Sequence, residues 1–262
     1  NEVNSGAYWF NCQALLNALG KLSTFRELSA AGRKKEIQLT DAVEIILSQS
    51  LNATAFNSRI PDIVLGANDR VQLAKLNAIA RQYQLNRQMM EGVSIPCADG
   101  VIIGPDVLIG ADTLILPGCI IKGKTVIGSH CVIGPNTFIE DSLIEDGASL
   151  NNTQCFESHI GKDAQVGPFA RIRPGTHIGN QVRIGNFVEV KNAVVGDETK
   201  ISHLSYIGDA DVGRDVNIGS GCATVNYNGR EKLRTTISDG AFNGTTSESN
   251  TCIPAGKAAA RR

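Results

Sequence analysis

A chain of 262 residues with 42% apolar content can bury one large core or two modest ones, which excludes a disordered tract. Aromatic residues make up only 5% while glycines number 27, favouring a repetitive, glycine-punctuated architecture over a sandwich. The formal net charge of −1 supplies no field for nucleic acid or a membrane surface, and no apolar run approaches the ~20 residues of a spanning helix. Neither partner is expected.

No signal peptide is read at the start. The seven cysteines (12, 97, 119, 131, 155, 222 and 252) lack metal-type spacing and read as free thiols of a reducing cytosol, so the expected location is cytoplasmic. Residues 1–66 mix signals: 2–10 are strand-like, 11–22 follow a helical apolar pattern, and Thr40-Asp41 reads as an N-cap before 42–47. Residues 67–92 form a connector, with Leu73, Leu76, Ile79, Tyr83 and Leu85 predicting one amphipathic helix.

From 93 to 262 the character changes. Ile103, Ile109, Ile115, Ile121, Ile127, Ile133 and Ile139 recur every six residues. After an irregular stretch the spacing returns at Ile160, Val166, Ile172, Ile178, Ile184 and Val190, and continues with slips to Ile218. Gly commonly follows the aliphatic residue, and a small or β-branched residue comes four positions after it, as at Val107, Thr113, Cys119, Thr125 and Cys131. A six-residue unit is a short flat strand plus a turn, and three units close an 18-residue triangular coil. The aliphatic residue fills the interior and Gly takes turn conformations that a side chain opposes. This hexapeptide pattern predicts a mainly β fold, a left-handed parallel β-helix, an exception to the right-handed crossover rule. Cys119 and Cys131 fall in small-residue slots and read as inert packing.

Chemistry is best sought where the repeat is violated. Arg173 and Lys191 occupy slots usually held by Gly and lie one coil apart, so they should stack on one corner. Two readings stand: a phosphate held between a guanidinium and an ammonium, or two solvated surface cations. His159 and His177 are also one coil apart, but a third metal ligand at matching phase is missing, and they read as surface histidines. His203 lies in the coil past Lys191 and is a candidate general base. Residues 226–229, Asn-Tyr-Asn-Gly, interrupt the hexads as a polar loop, functional or plain.

The stretches 167–175 (GPFARIRPG), 184–192 (IGNFVEVKN), 203–210 (HLSYIGDA), 216–219 (VNIG) and 226–229 (NYNG) resemble the bifunctional UDP-N-acetylglucosamine pyrophosphorylase/glucosamine-1-phosphate N-acetyltransferases. Upstream, 2–6 (EVNSG) and 66–70 (GANDR) resemble the end of that family's α/β uridylyltransferase domain, of which 1–66 would be the C-terminal remnant. The resemblance implies acetyl transfer from acetyl-CoA to the amine of glucosamine 1-phosphate. Arg173, Lys191, Tyr206 and Lys232 match phosphate-binding positions, His203 the general base, and Asn217 and Asn226 sugar contacts. Ser220 and Thr245 match acetyl-CoA contacts. Asn4 and Asn68 match the sugar-nucleotide and Mg2+ positions of the second activity, uridylyl transfer.

The resemblance further implies a homotrimer with a shared acetyltransferase site. Rival readings are another hexapeptide acyltransferase and an inactive trimeric scaffold. The nucleotide-binding loop and catalytic acid of the uridylyltransferase are expected upstream of Asn1, so that reaction is not expected of this chain. After Ile237 the core slots fall on Asn243 and Ser249, which predicts fraying from about 238 and an incomplete acetyl-CoA pocket.

Overall fold

The computed structural model describes residues 6–28, 38–56, 62, 65–227, 229–244 and 248–249. The chain divides into two compact units, 1–76 and 77–262. In the first, helix α1 (Cys12–Leu28) starts at Asn11, whose side-chain oxygen accepts from the N–H groups of Gln13 and Ala14. Helix α2 (Leu39–Ser48) lays Ala42, Ile45 and Ile46 against Ala18 and Leu22 of α1. Two expectations change. Residues 6–10 form no strand, and α2 is capped at Gln38, whose N–H donates to the Asp41 carboxylate at 3.1 Å. Asp41 is thus the third residue of the helix and closes a capping box with Gln38, the cap falling earlier in the chain than the Thr40-Asp41 expected.

The second unit is the parallel β-helix that the hexads predict. Its described strands form three parallel sheets of nine, eight and eight strands, each strand pairing with the third one before and after it. We call them the first, second and third sides, beginning respectively at Ile102–Ile103, Leu108–Ile109 and Leu114–Ile115. The aliphatic residues of the repeat form three interior ladders, almost all fully buried from Ile115 to Ile218. Burying each such side chain contributes about 1.5–3 kcal/mol before the entropy of ordering the chain is counted. The slots four residues on hold Thr113, Cys119, Thr125 and Cys131, each fully buried. Cys155 fills an aliphatic slot, and its burial pushes the thiol up to about 12, which leaves it inert.

The irregular stretch is not irregular inside. Ile144, Leu150 and Cys155 carry the ladders through it, and the coil merely shortens at its corners. Ile102 pairs with Ile120, eighteen residues on, whereas Phe138 pairs with Gln154, sixteen on. From Val194 onward the coil is seventeen, as in Lys200 with Asn217. One coil then expands to twenty-five, Ala210 pairing with Thr235, because residues 225–234 leave the solenoid as a loop.

The expected fraying after Ile237 is not found among the described residues. Phe242–Asn243 pairs with Asn217–Ile218, and Glu248–Ser249 with Ala223–Thr224. Asn243 is buried in its core slot. Ladder bonds such as Gly219 N–H to the Asn243 carbonyl, 2.7 Å, join backbone to backbone and do not need an aliphatic side chain.

Helix α3 (Arg70–Met90) keeps part of the expected face, with Leu76 and Ile79 half-buried. Leu73 and Tyr83 are exposed, whereas Leu85 and Gln88 are buried. Arg81 donates to the carbonyls of Val101 and Ala98, Gln84 to Gly104 at 2.9 Å, and Gln88 to Val107 at 3.5 Å. Helical spacing (81, 84, 85, 88) sets three donors and one leucine over the open end of the first coil, whose carbonyls have no coil beneath them to bond.

Candidate active site

Four of the residues that the repeat does not explain meet at the corner between the first and second sides. Asn192 and Asp209 sit one coil apart there in the left-handed conformation, φ 45° and 48°, and Asn226 lies seventeen residues further on. Asn192 Nδ2 donates to Asp209 Oδ1 at 2.6 Å, and Asn226 Nδ2 donates to Asp209 Oδ2 at 2.5 Å. Lys191 Nζ lies 3.9 Å from the same Oδ2. The hydrogen bond from Asn192 holds the Asp209 carboxyl below its ordinary value against the opposing effect of burial, helped by the charge of Lys191, the bond from Asn226 and the charge of Lys232.

On the first side the strands Arg171–Ile172 and Glu189–Lys191 pair so that Arg173 and Lys191 stack, as expected. Their repulsion is offset within the chain. Arg173 Nη1 binds Glu189 Oε1 at 2.7 Å, and Lys191 has Asp209. Both cations stay partly exposed, so donors remain for an anion. Tyr206 pairs with Glu189 of the preceding coil, and its hydroxyl lies over Gly208, in the space that a Cβ there would enter.

His203 ends the strand Lys200–His203 on the third side, across the corner from Tyr206. Its Nδ1 is 2.8 Å from Oδ1 of Asn186, its register partner one coil earlier. An amide oxygen only accepts, so with this assignment Nδ1 carries the proton and Nε2 presents a lone pair. By the same register Ser220 lies one coil past His203, since Gly221 N–H donates to the Leu204 carbonyl. Asn217, exposed, begins the strand Asn217–Ile218 on this side. The structure therefore gathers Arg173, Lys191, Tyr206 and Asn226 at one edge and sets His203, Asn217 and Ser220 on the adjoining side.

Arg234 anchors the return of the 225–234 loop. Its Nε and Nη2 bind the two oxygens of Asp211 at 2.6 Å each, Nη2 reaches the Ala210 carbonyl, and Nη1 reaches the Asn192 carbonyl. Lys232 is exposed and bridges to Tyr227 through the backbone. The hydrogen bond from Arg234 lowers the Asp211 carboxyl. A carboxylate with a depressed folded pKa gives stability that is present above its unfolded pKa and lost as pH falls through the folded one. The loop should therefore stay docked at neutral pH and loosen only below the ordinary carboxylate value of 3.8. Amide exchange across 226–235 during an acid titration checks this, and loss of protection near pH 6 would contradict it.

Asn4 and Thr245 lie outside the described residues. Asn68 is exposed just before α3, its N–H bonded to Gln72 Oε1 at 2.7 Å. Next to it the Asp69 carboxylate already accepts from Gln72 N–H. An amide oxygen and a carboxylate are ligand types that Mg2+ takes alongside water and phosphate. Among the described residues no group of three or more His, Cys, Asp and Glu is placed to hold a metal ion. His159 and His177 pair in register with ring centroids 4.3 Å apart, and His159 Nε2 meets Glu145 Oε1 at 2.6 Å. Burial, then the neighbouring His159, lowers the His177 pKa.

The sequence reading assigned no role to Asn186, Asn192 or Asp209. The signal that finds them is the local coil length: each lies seventeen residues from a residue it binds.

A three-sided solenoid built from six-residue units is the hexapeptide-repeat fold. The family described as bacterial transferase hexapeptide (six repeats) matches residues 106–141, and the GMPPB C-terminal domain matches 155–236. The chain is homologous to the C-terminal half of the bifunctional GlmU family. It is 45% identical over 243 residues to "Bifunctional protein GlmU" of Acetivibrio thermocellus, covering 93% of this chain and 51% of the relative. Against the protein of the same name in Clostridium novyi it is 41% identical over 264 residues, 98% of this chain and 56% of the relative. The chain thus spans about half the length of the curated relatives it matches. No described helix is long and apolar enough to cross a membrane.

Proposed function

We propose that this chain transfers the acetyl group of acetyl-CoA to the amine of glucosamine 1-phosphate in the cytoplasm, within UDP-N-acetylglucosamine synthesis. The observation that carries the reading is the stack of Arg173 on Lys191, each still part-exposed although a carboxylate offsets its charge. The acceptor phosphate would bridge the two cations, Tyr206, Asn217, Asn226 and Lys232 would contact the sugar phosphate, and Ser220 and Thr245 the acetyl-CoA. The ammonium first gives one proton to solvent. His203 Nε2 would take a second as the amine nitrogen attacks the thioester carbonyl, and the C–S bond breaks to release coenzyme A as a thiolate that the imidazolium can protonate.

A homotrimer is part of the proposal. The phosphate-binding edge and His203 lie on different sides of one solenoid, which supports a site completed by a neighbouring copy. The corner between those sides carries Phe169, Phe187 and Leu204, each more than half exposed and each at positive φ, 59°, 57° and 44°. That conformation costs a bulky residue about 1–2 kcal/mol, so such residues in solvent favour a covering partner.

Substituting Arg173 or Lys191 by Ala should raise KM for glucosamine 1-phosphate by roughly 10-fold or more. Affinity for unphosphorylated glucosamine should change less. An unchanged KM in both variants would sink the phosphate assignment.

A further inference from the structure

Asp209 has both carboxylate oxygens engaged, yet it is only 8% exposed and lies behind the groups that would meet the acceptor. A buried carboxylate is costly unless it is fully hydrogen-bonded, and truncating such a hub leaves its donors without a fixed place. Its main chain is pinned on two sides as well: its N–H donates to the Lys191 carbonyl at 2.9 Å, and its carbonyl accepts from Thr235 N–H at 3.0 Å. It therefore joins one coil, the next, and both ends of the 225–234 loop.

We infer that Asp209 is the positioning residue of the acceptor site, fixing Lys191, Asn192 and Asn226 in the geometry that receives the sugar phosphate; the inference rests on the acceptor reading above. The reasoning is one of donor and acceptor bookkeeping. A carboxylate only accepts, so each asparagine must turn its NH2 towards Asp209 and its oxygen away. That sets the orientation of two amides that would otherwise flip freely, and leaves the Asn226 oxygen to accept from a hydroxyl. Lys191 has three donors and spends at most one on Oδ2 at 3.9 Å. The long lysine chain is held at the edge, with donors remaining for an anion. Pre-organisation of this kind lowers the ordering cost of binding.

The test is Asp209→Asn in the full chain. One amide cannot accept from both asparagines with two oxygens, so one of them must turn or leave. Titration calorimetry with glucosamine 1-phosphate should show Kd rising on the order of 10- to 100-fold. Acetyl-CoA affinity, and kcat at saturating acceptor, should stay within about 3-fold. Asn192→Ala is the second variant, because Asn192 is exposed and its loss should leave folding intact while removing one amide from the hub. It should raise the same Kd by about 3- to 10-fold.

Unchanged or tighter acceptor binding in Asp209→Asn overturns the inference, the tighter result showing that the carboxylate competes with the phosphate. A parallel loss of acceptor affinity, acetyl-CoA affinity, kcat and melting temperature overturns it too, because that is what a purely structural residue does. Should Asp209→Asn not fold, an Asn192→Ala chain that binds normally overturns it alone. If the unaltered chain does not bind glucosamine 1-phosphate, the acceptor reading falls and takes this inference with it. Normal binding by the unaltered chain and by both variants sinks only the role of Asp209.

Discussion

His203→Ala should lower kcat for acetyl transfer by about 10²–10⁴-fold while leaving KM for glucosamine 1-phosphate close to its starting value. The amine of the acceptor is cationic near neutral pH and has no lone pair to give the thioester. A base that accepts its proton during attack contributes only in the transition state, so its removal appears in kcat. The bond from His203 Nδ1 to Asn186, 2.8 Å, gives the imidazole the tautomer this role requires. The acidic limb of the pH–rate profile should vanish with the imidazole. Asn186→Leu, which keeps the ring but frees it, should cost less, about 10-fold. Steady-state kinetics from pH 5 to 9 decides the matter, and a His203→Ala chain that retains both rate and limb would assign the proton to another group.

The largest structural effect is expected at Gly185. A Cβ there would lie 1.8 Å from the Ser202 carbonyl oxygen, 2.6 Å from its carbon and 2.9 Å from its Cα. Those atoms are backbone of the strand stacked directly on Arg183–Asn186, so no rotamer change can relieve the contact, and the coils must part. Gly185→Ala should destabilise by about 3 kcal/mol, the upper range for overpacking, and lower Tm by roughly 6–12 °C. Asn186 and His203 flank the contact, so kcat should fall as well. Gly66→Ala is the comparison, with no atom within 4 Å of the added carbon, and should stay within about 0.5 kcal/mol. Thermal unfolding of the two side by side tests this, and equal melting would show that the coils separate cheaply.

The interior of the solenoid was legible from sequence wherever Ile and Gly kept phase, and the stack of Arg173 on Lys191 was legible because that coil is eighteen residues long. Ile144, Leu150 and Cys155 were hidden because shortening a corner shifts the count without moving the side chain from the core. Asn186, Asn192 and Asp209 were hidden for the same reason, since each meets its partner across a coil of seventeen. The fate of Asn243 was misjudged because periodicity weighs side chains, whereas the ladder that holds this residue is backbone. In α3 the eye follows apolar residues, but the end of a coil presents carbonyls, and Arg81, Gln84 and Gln88 answer them.

That last arrangement has a consequence for solubility. A solenoid is a one-dimensional lattice, and each end coil is a ready template on which another copy could grow. By occupying the carbonyls of Ala98, Val101, Gly104 and Val107 with side-chain donors, the helix acts as a chain terminator against fibre-like, end-to-end polymerisation.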